Sequence, residues 1–152
     1  MPSKRVALAL TVLFAAALGL SACSETVSLE PADDANNYGC AEVSVRLPAD
    51  IDGLAQRATD AQATSAWGKP ASVILRCGLE PVYASTLTCV TAGNVDWLVD
   101  DSQAPTYRFI TFARKPATEV IVDSKHASGV TTLEAIAPAV QRIKATRQCL
   151  GK

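Results

Sequence analysis

Four ionisable residues on or beside strand-like segments bound the chemistry open to this chain: Arg76, Asp96, Arg114 and Glu119. Asp96 and Glu119 are the acids to weigh for glycoside cleavage. There one carboxyl protonates the leaving oxygen and a second, ~5.5 Å away in a retaining pair, attacks the sugar. Arg76 and Arg114 serve equally well to neutralise these acids in a strand-face network. No apolar stretch beside them marks a pocket that would perturb their titration. Trp67 and Trp97 offer flat faces for stacking on wall sugars or peptides. One falls at an expected helix end and the other on an alternating strand, so both read first as core. These six are the binding candidates, and no catalytic residue is assigned.

Other chemistries find less support. The single histidine, His126, lies in the polar run Asp123-Ser124-Lys125-His126-Ala127-Ser128, which reads as a solvated connection rather than part of a triad. There is no Cys-x-x-Cys, so no metal site is expected. The glycines are scattered singly, without a phosphate-binding loop, so no nucleotide or other cofactor is expected.

The strongest signal is an address. Lys4 and Arg5 precede an apolar run from Val6 to Leu20, too short for the roughly twenty residues that span a bilayer. A basic start, a short apolar core and small residues at its end describe a cleaved secretory leader. Leu20-Ser21-Ala22-Cys23 is similar to the lipobox of bacterial lipoproteins, in which the cysteine receives a diacylglyceryl group and the leader is cut just before it. An ordinary cut after Ala22 would place Leu20 at the −3 position, a poor fit. Residues 1–22 are thus expected to be a lipoprotein signal peptide, with Cys23 the lipidated first residue of the mature protein. Two acyl chains, at ~0.8 kcal/mol per buried CH₂, give stable membrane anchoring where one chain does not.

Loss of residues 1–22 removes two basic and no acidic residues, which moves the formal net charge from −1 to −3. A mildly acidic domain is a poor partner for nucleic acid. Residues 23–39 read as an acidic, flexible tether. They contain Glu25, Glu30, Asp33 and Asp34, no Lys or Arg, and Pro31, Asn36 and Asn37 as breakers. Fully extended, such a tether would reach at most ~55 Å.

Residues 40–150 are expected to form a single domain stapled by disulfides. Outside the cytoplasm, Cys40, Cys77, Cys89 and Cys149 allow three pairings. Cys77–Cys89 and Cys40–Cys149 are favoured, the first closing a short loop between strands and the second tying the domain's start to its end. Val43, Val45 and Leu47 alternate with Glu42, Ser44 and Arg46, which predicts a strand over 41–48. Ile51, Leu54, Ala55, Ala58 and Ala61 recur at helical spacing. They predict a helix capped by Asp50 or Asp52 and ending near Trp67, before Gly68 and Pro70. Strands are predicted over 72–77, 87–91, 95–99, 107–113 and 118–122, with a hairpin turn at Ala92-Gly93-Asn94. A last helix carries Val130, Leu133, Ile136, Ala137, Val140 and Ile143 as one apolar stripe. Thr131 and Glu134 fit a capping box, and Pro138 should kink or split it. This order predicts an α+β fold: a two-layer sandwich with a mostly antiparallel sheet of about five or six strands and two helices on one face.

Four short motifs stand in fixed order between the outer cysteines: Ala66-Trp67-Gly68-Lys69-Pro70, Leu75-Arg76-Cys77-Gly78, Val95-Asp96-Trp97-Leu98 and Arg114-Lys115-Pro116-Ala117-Thr118-Glu119-Val120. Their order resembles an actinobacterial family of secreted proteins and lipoproteins, domain-of-unknown-function family 3515. The resemblance implies an extracytoplasmic location and a single domain, and it supplies no activity, cofactor or catalytic residue. The expectation is a lipid-anchored protein on the extracytoplasmic face of the cell membrane, acting as a non-enzymatic binding or interaction module. Its partners would be the membrane, through the lipid on Cys23, and an envelope protein or cell-wall component. The alternative is a small cell-wall-modifying hydrolase using Asp96 and Glu119.

Overall fold

The computed structural model describes residues 25–149. The expected leader and the lipidated Cys23 lie outside the described residues, as does position 150 of the expected domain. Among the described residues, eight strands form one antiparallel sheet in the order β1-β2-β3-β4-β8-β7-β6-β5. They are β1 Asp50–Ile51, β2 Leu54–Arg57, β3 Thr64–Trp67, β4 Val73–Leu79, β5 Thr88–Ala92, β6 Val95–Asp100, β7 Thr106–Thr111 and β8 Ala117–Asp123. Two helices among the described residues, α1 (Tyr38–Ser44) and α2 (Gly129–Val140), pack against the sheet. The α+β class and the antiparallel sheet agree with expectation, whereas the strand count exceeds the five or six expected.

The extra strands come from the segment expected as a helix. Asp52 and Gly53 both take left-handed backbone angles, φ 51° and 80°, and form a two-residue turn that pairs Ile51 with Leu54. Asp-Gly is among the strongest hairpin signals because both central residues of such a turn need positive φ. The Asp50 carboxylate accepts from the Gly53 amide at 2.8 Å and holds the turn. That local chemistry overrides the helical spacing of the alanines, and the chain continues as β1, β2 and β3.

The converse holds over 38–44, where a helix replaces the predicted strand. The Asn37 side chain caps it by accepting from the Gly39 amide at 2.9 Å. Tyr38 bonds Glu42, and Glu42 pairs with Arg46, so contacts spaced four residues apart support the helical turn. Cys40 and Val43, three residues apart, both point into the core, while Val45 is 77 % exposed instead of facing inward.

The upstream segment also departs from the expected flexible tether. Val27 forms a parallel bridge with Thr59, and the Asp34 amide donates to the Gly78 carbonyl at 3.0 Å. Ala35 is buried in the core. Gly78, at φ 111°, makes this approach possible, because a Cβ there would stand 2.5 Å from the Ala35 nitrogen. The folded body therefore begins well before residue 40.

The main core lies between the helices and one face of the sheet. Val73, Leu75 and Cys77 of β4, Trp97 of β6, and Val120 and Val122 of β8 meet Cys40 and Val43 of α1 and Leu133, Ile136 and Val140 of α2. A smaller cluster on the opposite face joins Leu98, Ile110 and Ala117 to Val82 and Leu87 of the β4–β5 connection. The hairpin at residues 92–95 forms as expected, with Gly93 and Asn94 at φ 56° and 60°. Helix α2 also forms, capped by Ser128 rather than Thr131, and Pro138 falls in its last turn.

The disulfides pair differently from the favoured scheme: Cys40 joins Cys77 and Cys89 joins Cys149. Once residue 40 lies on a helix over β4, Cys77 is its neighbour. Cys89 lies on the sheet face opposite the helices, in register with Leu98, and the chain after α2 returns across that face.

Candidate functional site

Among the described residues, a cavity opens on each face of the sheet. On the helix side, α2 covers only part of the surface made by β5 to β8. The part left open is a groove of about 420 Å³. The register builds its floor: Val99 pairs with Phe109, and Tyr107 with Val122, so their side chains share one face. The Tyr107 and Phe109 rings lie 6.4 Å apart and nearly parallel. Gly129, at the start of α2, lets the helix approach, since a Cβ there would meet the Phe109 ring at 3.2 Å. Leu133 closes the inner wall. Val90 on edge strand β5 and Val130 on α2 form the rims, 37 % and 64 % exposed.

Polar groups are sparse along this groove. Ser124 and Ser128 mark one end, and Glu134, the single charged residue in the lining, stands near the Gly93 turn at the other. An apolar trough with few polar groups at its ends is the usual form of a site for a small apolar or amphipathic ligand. Sequence reasoning assigned none of these residues to a site. Tyr107 and Phe109 fall within the strand predicted over 107–113, whose pattern marks no site.

The second cavity, of about 180 Å³, lies on the opposite face between Leu29, Thr64, Ile74, Arg76, Glu119 and Ile121. Glu30 also lines it, and its buried acid, Glu119, is committed internally. Glu119 is 1 % exposed, and Arg76 Nε donates to its Oε1 at 2.6 Å. Arg108 Nε donates to the other carboxylate oxygen. A buried carboxylate with both oxygens bound by guanidinium groups is an ion-pair anchor between β4, β7 and β8.

The six sequence candidates therefore divide into three places. Arg76 and Glu119 meet in that anchor. Asp96 accepts from the Thr91 hydroxyl at 2.7 Å and from the Cys149 amide at 2.7 Å, which ties down the chain after α2. Arg114 is buried beside it and donates to the Ile143 carbonyl; burial lowers its pKa below the usual guanidinium range, and the nearby Asp96 opposes that shift. Trp67 and Trp97 are fully buried in the main core, with Trp67 Nε1 donating to the Pro48 carbonyl at 2.9 Å. Asp96 and Glu119 share a sheet face but lie two strands apart, ~10 Å across the backbone, with Leu98 and Ile110 in register between.

The His126 ring bonds Asp123 at 2.8 Å, and among the described residues no hydroxyl approaches it as a nucleophile would. That bond, with the Lys125 amide, holds the Asp123 carboxyl below its usual pKa. Cys89, Asp96 and Cys149 cluster closely enough to hold a metal ion, but both sulfurs are joined in a disulfide and offer no thiolate. No helix among the described residues is long and apolar enough to cross a membrane.

Comparison with known proteins bears on family and not on activity. No curated protein and no solved structure matches the chain. One family model matches residues 4–149, nearly the whole sequence. The chain belongs to the family described as Protein of unknown function (DUF3515).

Proposed function

We propose that this protein is a lipid-anchored, extracytoplasmic binding module of the cell envelope whose ligand site is the apolar groove between α2 and strands β5 to β8. The observation that carries the reading is the groove itself, which is lined by Val90, Val99, Tyr107, Phe109 and Leu133 and has Glu134 as its one charge. Leaving such a surface uncovered forgoes stabilisation of roughly 25 cal/mol per Å². The ligand that regains it is apolar over most of its length and uncharged or cationic at the Glu134 end. The acyl or isoprenoid chain of an envelope amphiphile meets both conditions. A binding role is also supported by the acids, since Glu119, Asp96 and Asp123 are each engaged in internal bonds.

Anchoring rests on the Leu20-Ser21-Ala22-Cys23 motif. Intact mass of the protein from membranes tests it: a chain starting at Cys23 and carrying acyl groups is expected, and a retained leader without acylation refutes it. Binding is tested on chain exported with an ordinary leader and Cys23→Ser, which carries no lipid of its own. An uncharged naphthylamine dye should bind one site and be displaced by a monoacylglycerol below its micelle concentration. Failure of the dye to bind would remove the groove reading.

A further inference from the structure

The start of the described chain is held to one edge of the sheet, and its distance from Cys23 is short. Arg57 donates from its guanidinium to the Glu25 carbonyl at 2.5 Å. Val27 exchanges backbone bonds with the neighbourhood of Thr59: its amide donates to Ala58 at 2.9 Å and its carbonyl accepts from Asp60 at 3.3 Å. The Leu29 amide then donates to the Asp60 carboxylate at 2.8 Å. From residue 25 onward the chain thus has fixed partners on β2 and the β2–β3 connection. Cys23 precedes Glu25 by two residues, a covalent reach of at most ~7 Å.

The same corner carries cationic groups. Arg57 also reaches the Gly68 carbonyl at 3.4 Å, and the next residue, Lys69, is exposed at the tip of the β3–β4 turn. Glu25, Glu30 and Asp60 are the acids of the docked segment and its partner, and Asp50 and Asp52 lie on the adjoining β1–β2 hairpin; Asp60 accepts from the Leu29 amide and Asp50 from the Gly53 amide. Lys69 is left as the outward cation on the side where the anchored end emerges.

We propose that the corner formed by β2 and the β3–β4 turn, with Arg57 and Lys69, is the membrane-facing surface. In this arrangement the short covalent link from Cys23, not charge, holds the domain directly on the headgroups rather than at the end of a long tether. The inference rests on lipidation of Cys23. Its consequence concerns the groove. Counting along the sheet, β7 and β6 are four and five strands from β2, so the groove lies roughly 20–25 Å from the anchored edge. The ligand is met away from the bilayer surface, on the envelope side.

Neutron reflectometry of the full acylated chain on a supported bilayer containing phosphatidylglycerol tests this. The protein layer should begin within about 10 Å of the headgroups. A ten-residue Gly/Ser spacer inserted between Ser24 and Glu25 should open a solvent gap of roughly 17 Å. A benzophenone amino acid in place of Lys69 should crosslink to lipid, and one in place of Val90 should not. A gap of tens of ångströms in the unaltered acylated chain, or lipid crosslinks at position 90 but not 69, overturns the proposal while leaving lipidation intact. A chain that carries no acyl group and forms no layer overturns lipidation and the proposal together.

Discussion

Val130 and Val90 form the rims of the groove, and replacing both with serine separates binding from folding. Fully burying a valine side chain contributes about 1.5 kcal/mol at the low end of the usual range. Val130 is 64 % exposed without ligand, so an occupant that covers it gains about 1 kcal/mol there. Val90, at 37 %, contributes about half as much. The double variant should therefore weaken an apolar ligand by about 1.5 kcal/mol, roughly tenfold in Kd. Folding should hardly change, because substitutions at exposed positions stay within about 0.5 kcal/mol. The assay is a fluorescence titration of the acyl-free chain with the naphthylamine dye, run beside urea denaturation. An unchanged Kd in the double variant would refute the assignment of the groove. So would a loss of affinity matched by an equal loss of stability, since that would mark a folding defect.

Three further outcomes follow from contacts outside the groove. Glu119→Ala leaves Arg76 and Arg108 facing each other. Breaking a fully buried pair costs about 3–5 kcal/mol, and the partly exposed arginines reduce this to about 2, read as a lower urea midpoint at unchanged slope. Cys149→Ser opens a loop spanning 60 residues and should cost roughly 4 kcal/mol, seen as a lower Tm whose difference vanishes under reducing conditions. Asp60 sits below its usual pKa of 3.8, first because the Leu29 amide donates to it and then through Ser28. A carboxyl lowered on folding stabilises fully above its unfolded value and loses that contribution as pH falls through its folded value. The segment 25–30 should stay protected at pH 5 and loosen below about pH 4, and Asp60→Asn should loosen it at neutral pH; equal hydrogen exchange of the Leu29 amide under all three conditions would contradict this.

How much of this was legible in the sequence depends on which signal dominated each segment. Strands β4 to β8 and helix α2 carry long apolar patterns that tertiary packing reinforces, and each forms close to where its pattern lies. Between residues 38 and 67 the patterns are short, and local chemistry decides instead. The Asn37 cap and the Cys40/Val43 pair turn an alternating run into helix. Asp52-Gly53 turns an alanine-rich run into a hairpin. With those two segments exchanged, Cys40 moves from just before a predicted strand onto a helix over β4, and the favoured disulfide scheme could not survive. The candidate site was less visible because it is a surface left uncovered. Tyr107 and Phe109 fall in a predicted strand with nothing to mark a site, and only the position at which α2 starts, fixed by Ser128 and Gly129, leaves them lining a groove. Charged residues drew attention for their chemistry. The structure instead shows Arg76, Glu119, Asp96 and Arg114 tying strands and the chain end together.

Methyl-resolved NMR of the folded chain, titrated with a monoacylglycerol below its micelle concentration, is the most direct test of the groove as the ligand site. Saturable shifts confined to Val90, Val99, Val122, Val130 and Leu133, with Ile74 and Ile121 on the opposite face unmoved, are the result the account predicts. Shifts centred on Ile74 and Ile121, or none that saturate, would contradict it.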